Sequence, residues 1–148
     1  GAAQQLDLTN WIIPDWIQVE TELSQKALEC ADLALVASGT STLEAAVFGT
    51  PMIIIYKMAT LSWWLSKLLV KVPYAGMVNI ITGSMIMPEI LQDDATPEQI
   101  YKTALKVLNN PDKITQMRSD LLNVRELLKG EGASSKAAKY ILGLNVGE

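Results

Sequence analysis

Two short apolar runs frame a small-residue loop and a helical pattern in the first third of the chain. Residues 33–37 and 52–56 are bounded by turn-forming residues, and the second run is rich in β-branched side chains. Such runs are typical of strands buried on both faces. Residues 42–48 between them suit a helix, which Gly49 is placed to end. This order predicts two parallel strands joined by a right-handed crossover.

Helical patterns occupy most of the remaining chain. Helices are predicted at residues 25–31, 61–69, 88–91, 98–108, 113–128 and 134–144, with Ser24 and Thr96 as N-caps. Residues 73–83 are predicted to be a mixed loop with a short strand. We therefore expect a three-layer α/β domain over residues 24–148 with a parallel sheet and several closing helices. Residues 1–23 are expected to be an N-terminal segment, a remnant of preceding strand and helix units.

Composition narrows the classes of function. The chain has 148 residues, 49% of them hydrophobic, a net charge of −4 and scattered lysines, so a nucleic-acid-binding face is not expected. Because there is no histidine and only one cysteine, an ordinary zinc site and histidine-dependent nucleophilic catalysis are excluded within this chain. Cys30 is predicted to be a small buried hydrophobe. We expect neither a metal nor a cofactor.

The segment around two adjacent tryptophans allows two interpretations. Trp63 and Trp64 precede Lys67 and Lys71, which suits a helix resting on an anionic membrane surface. A core helix whose lysines extend outward to solvent explains the same residues. The apolar run from 61 to 72 is too short and too polar to span a bilayer, and no signal peptide is visible. The expected location is cytoplasmic, with the first interpretation adding peripheral contact with the inner face of the membrane.

The loop after the first predicted strand carries the candidate chemistry. Ser38, Gly39 and Thr40 lie at the carboxyl edge of the sheet, where open α/β folds bind ligands. The free amides and positive dipole end of the next helix favour an anion such as a diphosphate, and Thr42 adds a hydroxyl. Glu44 in the same helix suits the hydroxyls of a ribose. An ordinary helix N-cap with a dipole-stabilising glutamate explains these residues equally simply.

The string ADLALVASGTSTLEAAVFGTPMIIIYK, residues 31–57, resembles the signature region of the bacterial lipid-A-disaccharide synthases. The similarity continues through LVKVPY, Asn79 and PEILQD to the C-terminal helix, in one collinear order over about residues 20–144. The resemblance implies the C-terminal, Rossmann-like, donor-binding half of a GT-B glycosyltransferase. That family transfers acylated glucosamine from UDP-2,3-diacylglucosamine to lipid X and releases UDP, without a metal ion.

The resemblance also implies roles for particular residues. Ser38, Gly39 and Thr40 are expected to line the diphosphate, and Glu44 is expected to bind the ribose. Asn79, Glu89 and Gln92 are expected to lie across the donor pocket. No catalytic residue is expected in this chain, because the family's base lies in the acceptor half. The implied partners are the UDP-sugar, a lipid acceptor bound through that other half, and a second copy in a homodimer. Two alternatives stay open: a stand-alone, truncated binding or interaction module, and another GT-B member, such as a UDP-N-acetylglucosamine epimerase or a peptidoglycan precursor transferase.

Overall fold

A computed structural model describes residues 14–19, 24–57, 73–129, 138 and 141. Three strands lie within these ranges: β1 (Ala34–Ala37), β2 (Met52–Tyr56) and β3 (Glu89–Leu91). The helices are α1 (Ser24–Cys30), α2 (Ser41–Phe48), α3 (Met77–Thr82), α4 (Pro97–Leu108) and α5 (Pro111–Leu128), with a 3₁₀ helix at Gln92–Asp94. None of the helices in the described ranges is long and apolar enough to cross a membrane.

The described strands form one parallel sheet in the order β1-β2-β3. Val36 pairs with Ile54, and Ile54 pairs with Glu89, so these three side chains share one face of the sheet because partners in register point the same way. The parallel pairing of β1 with β2 across α2 confirms the predicted βαβ unit. A parallel sheet flanked by helices is the open α/β architecture that the sequence predicted.

The core lies between this sheet face and the helices. Its buried members from the helices are Ala45 and Ala46 of α2, Val78 of α3, Val107 of α4, and Met117, Leu121 and Val124 of α5. The two alanines let α2 approach the sheet closely, and α2 contacts α1, α3, α5, β1 and β2. The helix that follows the candidate loop is therefore held on several sides, which fixes the direction of its N-terminus.

Two predicted elements are wrong. Residues 77–82 form a helix and not a loop; it begins after Gly76 and ends at Gly83, whose φ of 65° provides a left-handed C-cap. Residues 89–91 form a strand and not a helix, because Ile54 N–H donates to Pro88 C=O at 2.9 Å and the segment pairs with β2. Both elements are too short for their periodicity to identify them.

The predicted N-cap at Thr96 is confirmed, whereas Ser24, the other predicted N-cap, is the first residue of α1 itself. Thr96 accepts a hydrogen bond from Gln99 N–H at 3.3 Å, with Pro97 in the first turn of α4. The last long helix begins two residues before its predicted start, because Asn110 accepts from Lys113 N–H at 3.0 Å and caps it. Cys30 is exposed, so its predicted burial is wrong; α1 buries none of its residues.

Three predictions fall outside the described residues. They are the helix at 61–69 with its tryptophan and lysine pairs, most of the helix at 134–144, and most of the N-terminal segment 1–23.

Candidate functional site

The carboxyl ends of the described strands meet at one edge of the sheet, and the candidate loop leaves from that edge. Ser38 N–H still donates to Ile55 C=O at 3.0 Å, so the chain departs from the sheet only at Gly39. The φ of Gly39 is 140°, a conformation that side chains rarely allow. A Cβ at this position would meet no atom within 4 Å, so backbone conformation, and not crowding, accounts for the glycine.

The first turn of α2 presents free backbone donors. Leu43 and Glu44 N–H donate to Thr40 C=O at 2.9 and 3.1 Å, which closes the turn. The N–H groups of Gly39, Thr40 and Ser41 donate to no acceptor in the described part of the chain. These donors stand at the positive end of a regular eight-residue helix, and an anion is the natural acceptor for such a group.

Two of the predicted hydroxyl donors point inward. Ser38 Oγ donates to Ala75 C=O at 2.7 Å, and the fully buried Thr42 donates through Oγ1 to Gly39 C=O at 2.7 Å. A hydroxyl has one proton to donate, so both protons are used in holding the loop. Thr40 is exposed and makes no side-chain cap bond, which leaves its hydroxyl for solvent or a ligand.

Glu44 lies in the first turn of α2 and is exposed. Its carboxylate has no hydrogen bond or ion pair with any described residue. Since no described residue pairs with it, the carboxylate is available, as far as the described part of the chain shows, to accept from a ligand's hydroxyl groups. Lys57 follows β2 at the same edge and is exposed as well.

A second loop, residues 73–76, lies beside the first and is held by Glu89. The carboxylate of Glu89 accepts from Ala75 N–H through Oε2 and from Gly76 N–H through Oε1, both at 2.9 Å. Asn79 Nδ2 donates to the same Oε1 at 2.7 Å. Three donors therefore converge on one partly buried carboxylate, which fixes its orientation.

Asn79 is fully buried and bonded on both sides of its amide. Its Nδ2 also donates to Met87 C=O at 2.8 Å, and its Oδ1 accepts from Met87 N–H at 2.9 Å. The side chain thus pairs with both backbone polar groups of the buried Met87, and it ties α3 to the segment entering β3.

Gly76 is a closely packed position beside the predicted site residues that the sequence reasoning missed. A Cβ there would overlap Ile54 Cδ1 and lie 3.2 Å from Glu89 Oε1, so a larger residue would have to displace the buried end of Ile54. The signal was present as Ala-Gly before a helix, but the buried partner that favours glycine is distant in sequence.

The structure brings several predicted site residues together. Ser38, Asn79 and Glu89 are joined through the backbone of Ala75 and Gly76. Gln92 follows β3 at the same sheet edge and adopts a φ of 54°, which is uncommon outside glycine.

Comparison with known proteins identifies the family. A family model described as lipid-A-disaccharide synthetase matches residues 10–142. The chain belongs to the lipid-A-disaccharide synthase family. The matched span contains every candidate site residue.

Individual relatives agree with this assignment. The lipid-A-disaccharide synthase of Syntrophus aciditrophicus is 37% identical over 131 residues, which cover 88% of this chain and 34% of that protein. The synthase of Solibacter usitatus is 42% identical over 119 residues, which cover 80% of this chain and 31% of that protein. The synthase of Trichlorobacter lovleyi is 37% identical over 142 residues, which cover 93% of this chain and 37% of that protein. The chain thus spans about a third of the length of these synthases.

Proposed function

We propose that this chain is the donor-binding part of a lipid-A-disaccharide synthase. In this role it binds the UDP portion of UDP-2,3-diacylglucosamine while the acylated glucosamine is transferred to lipid X and UDP is released, a step of lipid A biosynthesis. The observation that carries the proposal is that the N–H groups of Gly39, Thr40 and Ser41 find no acceptor among the described residues. They lie at the start of α2 and at the carboxyl edge of a parallel sheet, in a chain of this family.

The proposed division of roles follows the hydrogen bonds. The backbone N–H groups of Gly39, Thr40 and Ser41 bind the diphosphate, with the Thr40 hydroxyl beside them. They stabilise the charge that builds up as UDP leaves, since preformed donors need no rearrangement during reaction. The carboxylate of Glu44 accepts from the ribose hydroxyls.

The other predicted residues complete the proposed site. Ser38 and Thr42 shape the loop through their bonds to Ala75 and Gly39, and Gln92 lies at the same edge of the sheet. The acceptor lipid and the catalytic base belong to the half of the family's fold that lies outside this chain. Alone, the chain is therefore proposed to bind the donor without turning it over.

Location and assembly follow the family resemblance. We propose action at the cytoplasmic face of the membrane, with peripheral contact through Trp63, Trp64, Lys67 and Lys71, which lie outside the described residues. A homodimer is proposed on the same basis.

Calorimetric titration with UDP tests the proposed site. Glu44→Ala should weaken binding by roughly tenfold or more, because a charged hydrogen bond contributes about 1.5–3 kcal/mol. Glu98→Ala is the matched control: Glu98 is also exposed and also in the first turn of a helix, so it loses the same charge and the same dipole interaction. Equal affinity for the wild-type chain and Glu44→Ala would reject the ribose assignment.

Absence of UDP binding by the folded wild-type chain would reject donor binding by this piece. It would favour the alternative of a truncated module without catalysis. UDP-N-acetylglucosamine, titrated in parallel, reports whether the sugar adds affinity beyond the nucleotide.

A further inference from the structure

We propose that Glu89 is a positioning residue: through the backbone of Ala75 and Gly76 it fixes Ser38, and with it the loop that meets the diphosphate. The inference rests on the proposed function for its effect on UDP, but the mechanical connection is a property of the free chain. Glu89 would then act on the donor without touching it.

The first step is the saturation of the Glu89 carboxylate. Oε1 accepts from Gly76 N–H and Asn79 Nδ2, and Oε2 accepts from Ala75 N–H. A carboxylate oxygen has about two lone-pair sites, so Oε1 has none left for a ligand. No lysine or arginine of the described residues forms an ion pair with Glu89, and two negatively charged groups, the carboxylate and a nearby diphosphate, would repel each other. Direct phosphate binding by this side chain is therefore disfavoured.

The second step is the continuity of the bonds through Ala75. Its N–H is held by Glu89, and its C=O is held by Ser38 Oγ. Both peptide units that flank this one residue are thereby fixed. A shift of the loop at Glu89 must move the acceptor on which Ser38 depends.

The third step is what Ser38 does for its own loop. It is the last residue in the ladder with β2, through Ser38 N–H to Ile55 C=O, and it precedes Gly39 with its φ of 140°. Gly39 itself is held by Thr42 Oγ1 from the helix side. The bond from Ser38 to Ala75 therefore holds the strand end of this turn, while Thr42 holds its helix end.

Asn79 holds Glu89 in place for this task. Its two bonds to Met87 and its bond to Glu89 tie α3 to the strand that carries the carboxylate. The segments 75–79 and 87–89 are consequently joined by side-chain hydrogen bonds, and Ser38 links them to the candidate loop.

Glu89→Gln tests the connection with little change in shape. If the amide oxygen replaces Oε1, the amide NH₂ faces Ala75 N–H, and two donors oppose each other. We expect the loop at 75 to shift and the affinity for UDP to fall roughly tenfold, the size typical of coupled groups in one network. Glu98→Gln, the same change at an exposed helix position, is the matched control and should leave UDP affinity unchanged.

A double-mutant cycle separates positioning from direct contact. If Glu89 acts through Ser38, then Ser38→Ala combined with Glu89→Gln should bind UDP as weakly as the worse single variant. Losses that multiply would show two independent contributions and overturn the proposal.

Amide spectra of the ligand-free chain provide the second readout. Glu89→Gln should shift the amide resonances of residues 38–40, and Ser38→Ala, which removes only a partly buried hydroxyl, should speed hydrogen exchange at Ala75 and Gly76. Unchanged exchange at Ala75 and Gly76 in Ser38→Ala would overturn the connection, even if Glu89→Gln proved too unstable to study, and so would unchanged resonances of residues 38–40 in a folded Glu89→Gln variant. Failure of the wild-type chain to bind UDP would instead overturn the proposed function, while these spectra would still decide whether Glu89 positions the loop.

Discussion

Replacing Gly76 with alanine should destabilise the chain through a single identifiable contact. Gly76 is buried with φ −85° and ψ 133°, a conformation that any residue adopts, so backbone strain is not the cause. The added Cβ would overlap Ile54 Cδ1, whose side chain is fully buried between the sheet and the helices. Overpacking of this kind costs about 1–3 kcal/mol in the free energy of unfolding.

The contact also defines the rescuing substitution. Ile54→Val removes Cδ1 and alone costs about 0.5–1.5 kcal/mol. In the double variant the nearest neighbours of the new Cβ become Glu89 Oε1 at 3.2 Å and Ile54 Cγ1 at 3.4 Å, which small shifts can accommodate. The double variant should therefore be at least about 1 kcal/mol more stable than the sum of the single effects predicts, a coupling of the size seen between residues in contact.

Urea unfolding of the four proteins measures this coupling, with the slope of the transition checked for constancy. Gly83→Ala is the matched control, because Gly83 has a φ of 65° and open space around its Cβ position. That variant should lose about 1–2 kcal/mol through left-handed strain, and Ile54→Val should not rescue it. Additive effects of Gly76→Ala and Ile54→Val within about 0.5 kcal/mol would refute the steric account of this loop.

Two further predictions concern stability at other places in the domain. Leu121→Ala should lower the free energy of unfolding by about 2–5 kcal/mol, because the residue is fully buried in the core; Leu122→Ala, at a position 51% exposed, should change it by less than about 1 kcal/mol. Similar losses for the two leucine variants in urea unfolding would contradict the packing of α5. Asn110→Ala should cost about 1 kcal/mol through loss of the cap on Lys113 N–H, a loss that Asn110→Asp should largely avoid; thermal unfolding of the two variants compares them.

Much of the fold followed from local pattern. The apolar run at residues 33–37 and the proline-led run at 52–56 predicted β1 and β2. A strand buried on both faces consists almost entirely of apolar residues, so it is recognisable from its composition. The N-cap of α4 at Thr96 was predicted because a capping side chain and its amide partner lie three residues apart. These features depend on neighbours in sequence, and the structure confirms them.

The elements that were predicted wrongly depend on residues that are distant in sequence. The three residues of β3 are a strand because β2 supplies their hydrogen bonds, and α3 has only six residues. The bond between Ser38 and Ala75 spans 37 positions, and those from Ala75 and Gly76 to Glu89 span 14 and 13. Sequence similarity selected Ser38, Asn79 and Glu89 together, but only the fold shows that they are connected.

The charges around the candidate loop explain why backbone groups are central to the proposed site. Glu44 and Glu89 are acidic, Lys57 is a basic residue that directly follows a described strand at this edge, and the whole chain carries a net charge of −4. Among the residues that the structure describes, side-chain charge therefore gives a diphosphate little attraction at this loop. A helix end contributes about 0.3–2 kcal/mol toward an anion, and each hydrogen bond to a charged acceptor adds about 1.5–3 kcal/mol. Several such donors suffice for binding only if the turn at Gly39 is held rigid beforehand, and holding it is the task that the Ser38, Ala75 and Glu89 connection would perform.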